Sequence, residues 1–120
     1  MPHLTLEYSN NLASFSPALA LAALNTAMFD SGLFSEPDIK SRALALEHFQ
    51  VGIRPAPRAF AHVRIALLAG RSDAERKELA EAVLAALRAA VDASTGTEIQ
   101  LSVETVDLDR GSYAKAVLNG

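Results

Sequence analysis

The 120-residue chain contains no cysteine and no tryptophan. The first absence excludes disulfides, thiolate zinc centres and cysteine nucleophiles together. Aromatic residues are scarce, at 6% of the chain, and the strand-like segments lack the paired stacking residues that single-stranded RNA requires. Positive charge is not in excess: 11 Lys and Arg stand against 14 Asp and Glu, a net charge of -3. That balance argues against nucleic acid or an anionic membrane as a bulk partner and leaves room for a local cationic pocket. No apolar run reaches membrane-spanning length, and no basic segment leads into an apolar core at the start, so a cytoplasmic protein is expected. The three histidines, His3, His48 and His62, lack metal-ligand spacing, and no glycine cluster forms a phosphate loop. Neither metal nor cofactor is expected.

Half of the residues are apolar and 21% charged, the balance of one soluble domain over residues 1–120. "HLTLEY" (3–8) alternates and carries β-formers, so it reads as a strand. In "SPALALAALNTAMFDSGL", Ser16 caps a helix, Pro17 suits its first turn and Gly32 is a left-handed stop. "DIKSRALALEHF" (38–49) reads as a second strand with Lys40, Arg42 and Leu44 on one face. The Pro/Gly-rich linker, about 51–59, then separates a first βαβ unit (about 2–50) from a second (about 60–108). In the second unit "FAHVRIALLAG" (60–70) is a strand. Ser72 and Glu75 form a capping box, and apolar spacing predicts a helix from about 73 to 92. "GTEIQLSVETVDL" (96–108) is the fourth strand, and residues 109–120 form a tail without a clear pattern.

The halves overlay. Pro2-His3-Leu4-Thr5-Leu6 falls on Ala61-His62-Val63-Arg64-Ile65, and "DIKSRALAL" falls on "EIQLSVETV" with one residue of slack. The fold class is therefore α/β in the broad sense (α+β): tandem βαβ units, a four-stranded sheet and two helices on one of its faces. The strands read as too apolar to leave the other face to solvent, which points to oligomerisation.

Proline at position 2 carries the chemistry. With Met1 removed, an expected processing step before a small residue, its ring nitrogen becomes a free secondary amine. Burial and neighbouring cations both lower the pKa of such an amine toward neutrality, where a general base works best. Leu4 and Leu6 would supply the apolar surroundings, and Lys40, Arg42 and Arg71 the cations. Arg71, in "AGRSDAE", stands between a strand end and a capped helix start, where backbone donors and the helix dipole favour a carboxylate. Its fork suits carboxylate or enolate oxygens.

"PHLTLEYSNNL", "DIKSRALAL" and "AGRSDAERKELAEAV" together resemble the 5-carboxymethyl-2-hydroxymuconate isomerase family of the tautomerase superfamily, whose short relative is 4-oxalocrotonate tautomerase. The resemblance implies an isomerase of aromatic-compound catabolism, a homotrimer acting on a small anionic keto or enol acid. It implies Pro2 as catalytic base, Arg71, Lys40 and Arg42 as substrate-binding residues and Tyr113 as an aromatic wall. Lys40 replaces the family's strand-two arginine, so charge is kept and the bidentate fork lost. Ala61 takes the place of a second proline, which could not have a free amine inside the chain. Two other readings stay open: a hydratase or dehalogenase of the same superfamily using protonated Pro2 as acid, and a non-catalytic small-ligand trimer.

Overall fold

Alternation in "HLTLEYS" buries Leu4 and Leu6 on one side of strand β1 (His3–Ser9) and turns His3, Thr5 and Glu7 to the other. The computed structural model describes all residues, 1–120. Helix α1 (Pro17–Asp30) starts where Ser16 accepts a hydrogen bond from the Leu19 amide at 3.3 Å, with Pro17 in its first turn. Ala20, Leu24 and Met28, four apart, form its buried stripe. Gly32, at φ +76°, lies just past the Ser31 cap and donates its amide to the Phe29 carbonyl.

Strand β2 (Lys40–Leu46) is shorter than the expected 38–49. A 3₁₀ turn, Glu36–Asp38, consumes the amides of Asp38 and Ile39, so the ladder opens at Lys40, whose amide meets the Pro2 carbonyl at 3.2 Å. Strand β3 (Arg58–Leu68) begins and ends two residues earlier than expected, because the parallel ladder reaches back to Arg58 opposite Glu98. Helix α2 (Asp73–Ala90) carries the expected capping box and buries Leu79, Val83 and Leu87. Strand β4 (Glu98–Leu108) closes the order β2-β1-β3-β4.

Within each half the strands are parallel, and the halves meet through antiparallel β1 and β3. This is the tandem βαβ, α+β arrangement read from the sequence. Both helices pack on the sheet face that carries Leu4, Leu6, Ala61, Val63, Ile65 and Leu67, and these residues share one core with Leu24, Met28, Leu79 and Leu87. Each fully buried Leu or Met contributes roughly 1.5–3 kcal/mol.

Two expectations need correction. The face away from the helices is not apolar, for it carries His3, Thr5, Glu7, His62, Arg64, Ser102 and Glu104 among a few apolar side chains. The strands looked apolar because their core-facing positions are nearly pure Leu, Ile, Val and Ala. The repeat overlay is also shifted: His3 pairs with Lys40 and His62 with Ser102, so matching the histidines carries Lys40 onto Ser102 and Arg42 onto Glu104. The second unit is longer between its paired strands, as its 18-residue helix against 14 residues in the first explains.

Candidate active site

The topology decides which residues meet. β1 and β2 begin at the edge of the sheet where β3 and β4 end, since His3 lies opposite both Lys40 and Ala66, and Leu68 opposite Leu108. Pro2, Lys40, the loop that carries Arg71, and the start of the C-terminal tail therefore converge. Gly70 turns the chain out of β3 at φ +122°, a conformation that suits glycine, and Arg71 follows directly.

A pocket of about 240 Å³ occupies this edge. Leu33, Phe34, Leu67 and Leu68 form its apolar wall, and Arg71, Arg110 and Asp38 bring charge to it. Met1 lines it too, while Pro2 is fully buried immediately behind. Leu4 and Leu6, the expected apolar neighbours, lie instead in the core under the helices. They point the same way as Pro2, but β1 carries them away from the edge.

Arg71 is held rather than free. Its Nη2 donates to the Leu33 carbonyl at 2.8 Å, and its guanidinium stands 5.8 Å from the centre of the Phe34 ring. The remaining N–H groups of the fork are left for a ligand. Arg110 donates through Nε to the Ala69 carbonyl, on the loop that carries Arg71. Lys40 Nζ donates to the Asp38 carbonyl at 2.5 Å. The Asp38 carboxylate, the single acid among the lining residues, is paired with Lys115 Nζ at 2.8 Å. Burial first, and then the Lys40 ammonium, hold the Met1 amine below its ordinary pKa, while Asp38 pulls the other way. In a chain of net charge -3, this edge is locally cationic.

Arg42 and Tyr113 gather one step away, around His3, and do not line the pocket. Arg42 Nη2 lies 3.0 Å from His3 Nδ1, and His3 Nε2 lies 3.1 Å from the Tyr113 hydroxyl. A guanidinium can only donate, so Nδ1 is the acceptor and the ring hydrogen sits on Nε2, donated to the Tyr113 oxygen. Tyr113 also packs edge-on against the ring, with centroids 6.4 Å apart. Burial, followed by Arg42 and Lys40, lowers the His3 pKa, so the ring is neutral near pH 7.

In the second half, His62 bonds Ser102 Oγ at 2.7 Å through Nδ1 and bonds the Glu104 carboxylate through Nε2. The His62 bond is the main reason that the Glu104 carboxyl lies below its usual range. Where the first half has a cation, Arg42, against its histidine, the second has an acid. No three His, Asp or Glu side chains gather closely enough to hold a metal ion.

Sequence reasoning missed Phe34, Asp38, Arg110 and Lys115. Asp38 was legible only as a strand start, and the tail offered no periodicity to say where Arg110 and Lys115 would go.

The family model for 5-carboxymethyl-2-hydroxymuconate isomerase matches residues 2–118. Curated protein sequences give no match. Among solved structures, a 5-carboxymethyl-2-hydroxymuconate isomerase from Deinococcus radiodurans R1 is similar, with 30% identity and a TM-score of 0.88 over 96% of this chain and 88% of that one. A 5-carboxymethyl-2-hydroxymuconate delta-isomerase has 21% identity and a TM-score of 0.75 over 99% and 89% of the two chains. A symmetric trimer of wild-type fused 4-OT has 20% identity and a TM-score of 0.73, covering 98% of this chain and 93% of its own.

Proposed function

The chain belongs to the 5-carboxymethyl-2-hydroxymuconate isomerase family, and from that membership and the geometry of the edge pocket we propose that it moves a proton and a double bond in an unsaturated hydroxy- or oxo-dicarboxylate such as 5-carboxymethyl-2-hydroxymuconate. The base is the amine of Pro2, freed by removal of Met1. Losing Met1 adds its volume to the pocket and brings the ring nitrogen to the surface that Met1 now covers.

Neutral Pro2 takes a proton from the carbon next to the conjugated carbonyl, and the electron pair left behind spreads into a dienolate. Arg71 holds a substrate carboxylate with its free guanidinium donors. Lys40, whose ammonium lowers the pKa of the Met1 amine in the structure, would stabilise the enolate oxygen as a point charge and act in the same direction on the freed prolyl nitrogen one residue on. Arg42 and Tyr113, tied to His3 outside the pocket lining, would meet a substrate that extends beyond the pocket toward the open sheet face. The prolinium then returns the proton to a different carbon of the conjugated system, and no cofactor is consumed.

The observation that carries this reading is the convergence of the chain start, Arg71 and Arg110 on one pocket, although these residues lie far apart in the sequence. Lys40 stands outside the lining but near enough to lower the pKa of the Met1 amine. The similarity to a trimeric fused 4-OT supports a homotrimer, which would cover the open sheet face. The single carboxylate of the pocket is tied to Lys115, which leaves it poorly suited to activate water and disfavours a hydratase. The test is a spectrophotometric assay of enol ketonisation and double-bond migration with wild type and Pro2→Ala. Turnover falls by orders of magnitude in the variant. Unchanged turnover removes the proline from the mechanism.

A further inference from the structure

The pocket holds one feature that works against a neutral amine. Asp38 lines it beside Met1, and a carboxylate next to an amine favours the ammonium form. The same carboxylate is met at 2.8 Å by Lys115, a residue 77 positions away in the C-terminal tail. The tail reaches that point by its own anchors. Leu108 ends β4 beside the loop carrying Arg71, Asp109 caps a turn through the amide of Gly111 and the hydroxyl of Ser112, and Tyr113 is pinned to His3. Lys115 is thus delivered to Asp38 by fixed contacts on both sides of the N-terminus.

We propose that Lys115 is a positioning residue of the active site: by holding the Asp38 carboxylate in an ion pair, it prevents that carboxylate from pairing with the N-terminal amine, which stays a free base. This rests on the reading of the amine as the base, and it adds the device that keeps that base unprotonated. The charged and titratable groups around the amine agree with it. Lys40 on β2, Arg71 on the β3–α2 loop, Arg110 and Lys115 on the tail, and Arg42 with neutral His3 on the open face are all cationic or neutral. Asp38 on the 3₁₀ turn is the exception. Its carboxyl lies below the usual range, with the Lys115 hydrogen bond as the first cause, so it stays ionised and needs a partner throughout the working pH range. The amine of Met1, one residue ahead of Pro2, responds to both: Asp38 raises its pKa and Lys115 lowers it, and the freed prolyl nitrogen takes its place beside the same two groups.

The two side chains remain 39% and 33% exposed, so water and salt screen part of the effect. Removing Lys115 acts twice in one direction, deleting a cation near the amine and releasing the carboxylate toward it. A shift of about half to one pH unit follows, or roughly a three- to tenfold loss of free amine at pH values below the pKa.

The experiment follows the titration of the N-terminal amine by ¹⁵N NMR, together with the acid limb of kcat/KM, in wild type, Lys115→Ala, Lys115→Arg and Asp38→Asn. Lys115→Ala raises both the amine pKa and the acid limb, Asp38→Asn lowers them, and Lys115→Arg restores the wild-type values. Added salt shrinks the differences. The proposal is overturned if Lys115→Ala leaves the amine titration where it was, or if Asp38→Asn and Lys115→Ala move it the same way. A Lys115 that only tethers the tail would lower stability without moving the titration, which also counts against it. Because the NMR titration needs no substrate, it is read independently of the reaction assigned above. A shifted amine with an acid limb that ignores it sinks the functional reading and leaves the electrostatic one standing.

Discussion

Replacing Arg71 separates its two tasks. In the structure one guanidinium nitrogen, Nη2, is committed to the Leu33 carbonyl at 2.8 Å and the plane rests near Phe34 at 5.8 Å, so the fork is already oriented before a ligand arrives. Two of the remaining N–H groups can bind a substrate carboxylate side by side. Hydrogen bonds to charged groups contribute about 1.5–3 kcal/mol each, so losing two costs about 3–6 kcal/mol. At about 1.4 kcal/mol per factor of ten, Arg71→Ala lowers kcat/KM by roughly 10² to 10⁴. Arg71→Lys keeps the charge but cannot serve the Leu33 carbonyl and a bidentate ligand together, so it falls between, at about 10- to 100-fold. The stability cost is smaller, about 1–2 kcal/mol for the lost carbonyl bond and the aromatic contact. Steady-state kinetics with a dicarboxylate substrate, beside a urea melt of each variant, reads both quantities. A kcat/KM for Arg71→Ala within threefold of wild type refutes the assignment of Arg71 to the substrate.

Two further perturbations follow from the same geometry. His3 has a lowered pKa in the fold, so the unfolded chain binds its proton first as pH falls, and stability drops below the unfolded value of about 6.5 until the folded-state pKa is passed. Urea midpoints from pH 8 to 5 should show the stability advantage of wild type over His3→Gln shrinking across that window. An advantage constant with pH contradicts the neutral, Arg42-facing ring. Ser72→Ala removes the side chain that accepts from the Glu75 amide at 3.1 Å and costs about 1 kcal/mol, a fall in Tm of roughly 3–5 °C by calorimetry. No change in Tm means that the capping box adds nothing to stability.

What could be read in the sequence was what neighbouring residues decide. Ser16 with Pro17, and Ser72 with Glu75, announce helix starts because a cap acts within four residues, and the structure has both. The parallel pairing inside each half followed from the βαβ order. The antiparallel meeting of β1 with β3 could not be read, because cross-strand register is fixed by the whole core and not by either strand. The shortened β2 shows a local competition that was overlooked: Pro37 sits in a 3₁₀ turn whose amide bonds leave nothing for the ladder until Lys40. A lysine on an edge strand such as β2, or an arginine in a loop, is by itself ordinary. Lys40 and Arg71 could be proposed because a free prolyl amine needs nearby cations and the family resemblance falls on both positions. Lys115 could not, since an isolated lysine in a polar tail looks the same whether it meets Asp38 or water. Arg42 was legible as a cation on the open face, but its engagement with His3 depends on the parallel register of β1 and β2.

The central claim is a neutral prolyl amine in a cationic pocket, and it is tested most directly by comparing two curves from one preparation whose intact mass is known: the ¹⁵N titration of the N-terminal amine and the pH dependence of kcat/KM. A chain lacking Met1 is expected, with a prolyl amine that titrates below the range of an exposed secondary amine and an acid limb that coincides with that titration. A fully active preparation that retains Met1, or an enzyme at full rate while its amine is protonated, would contradict it.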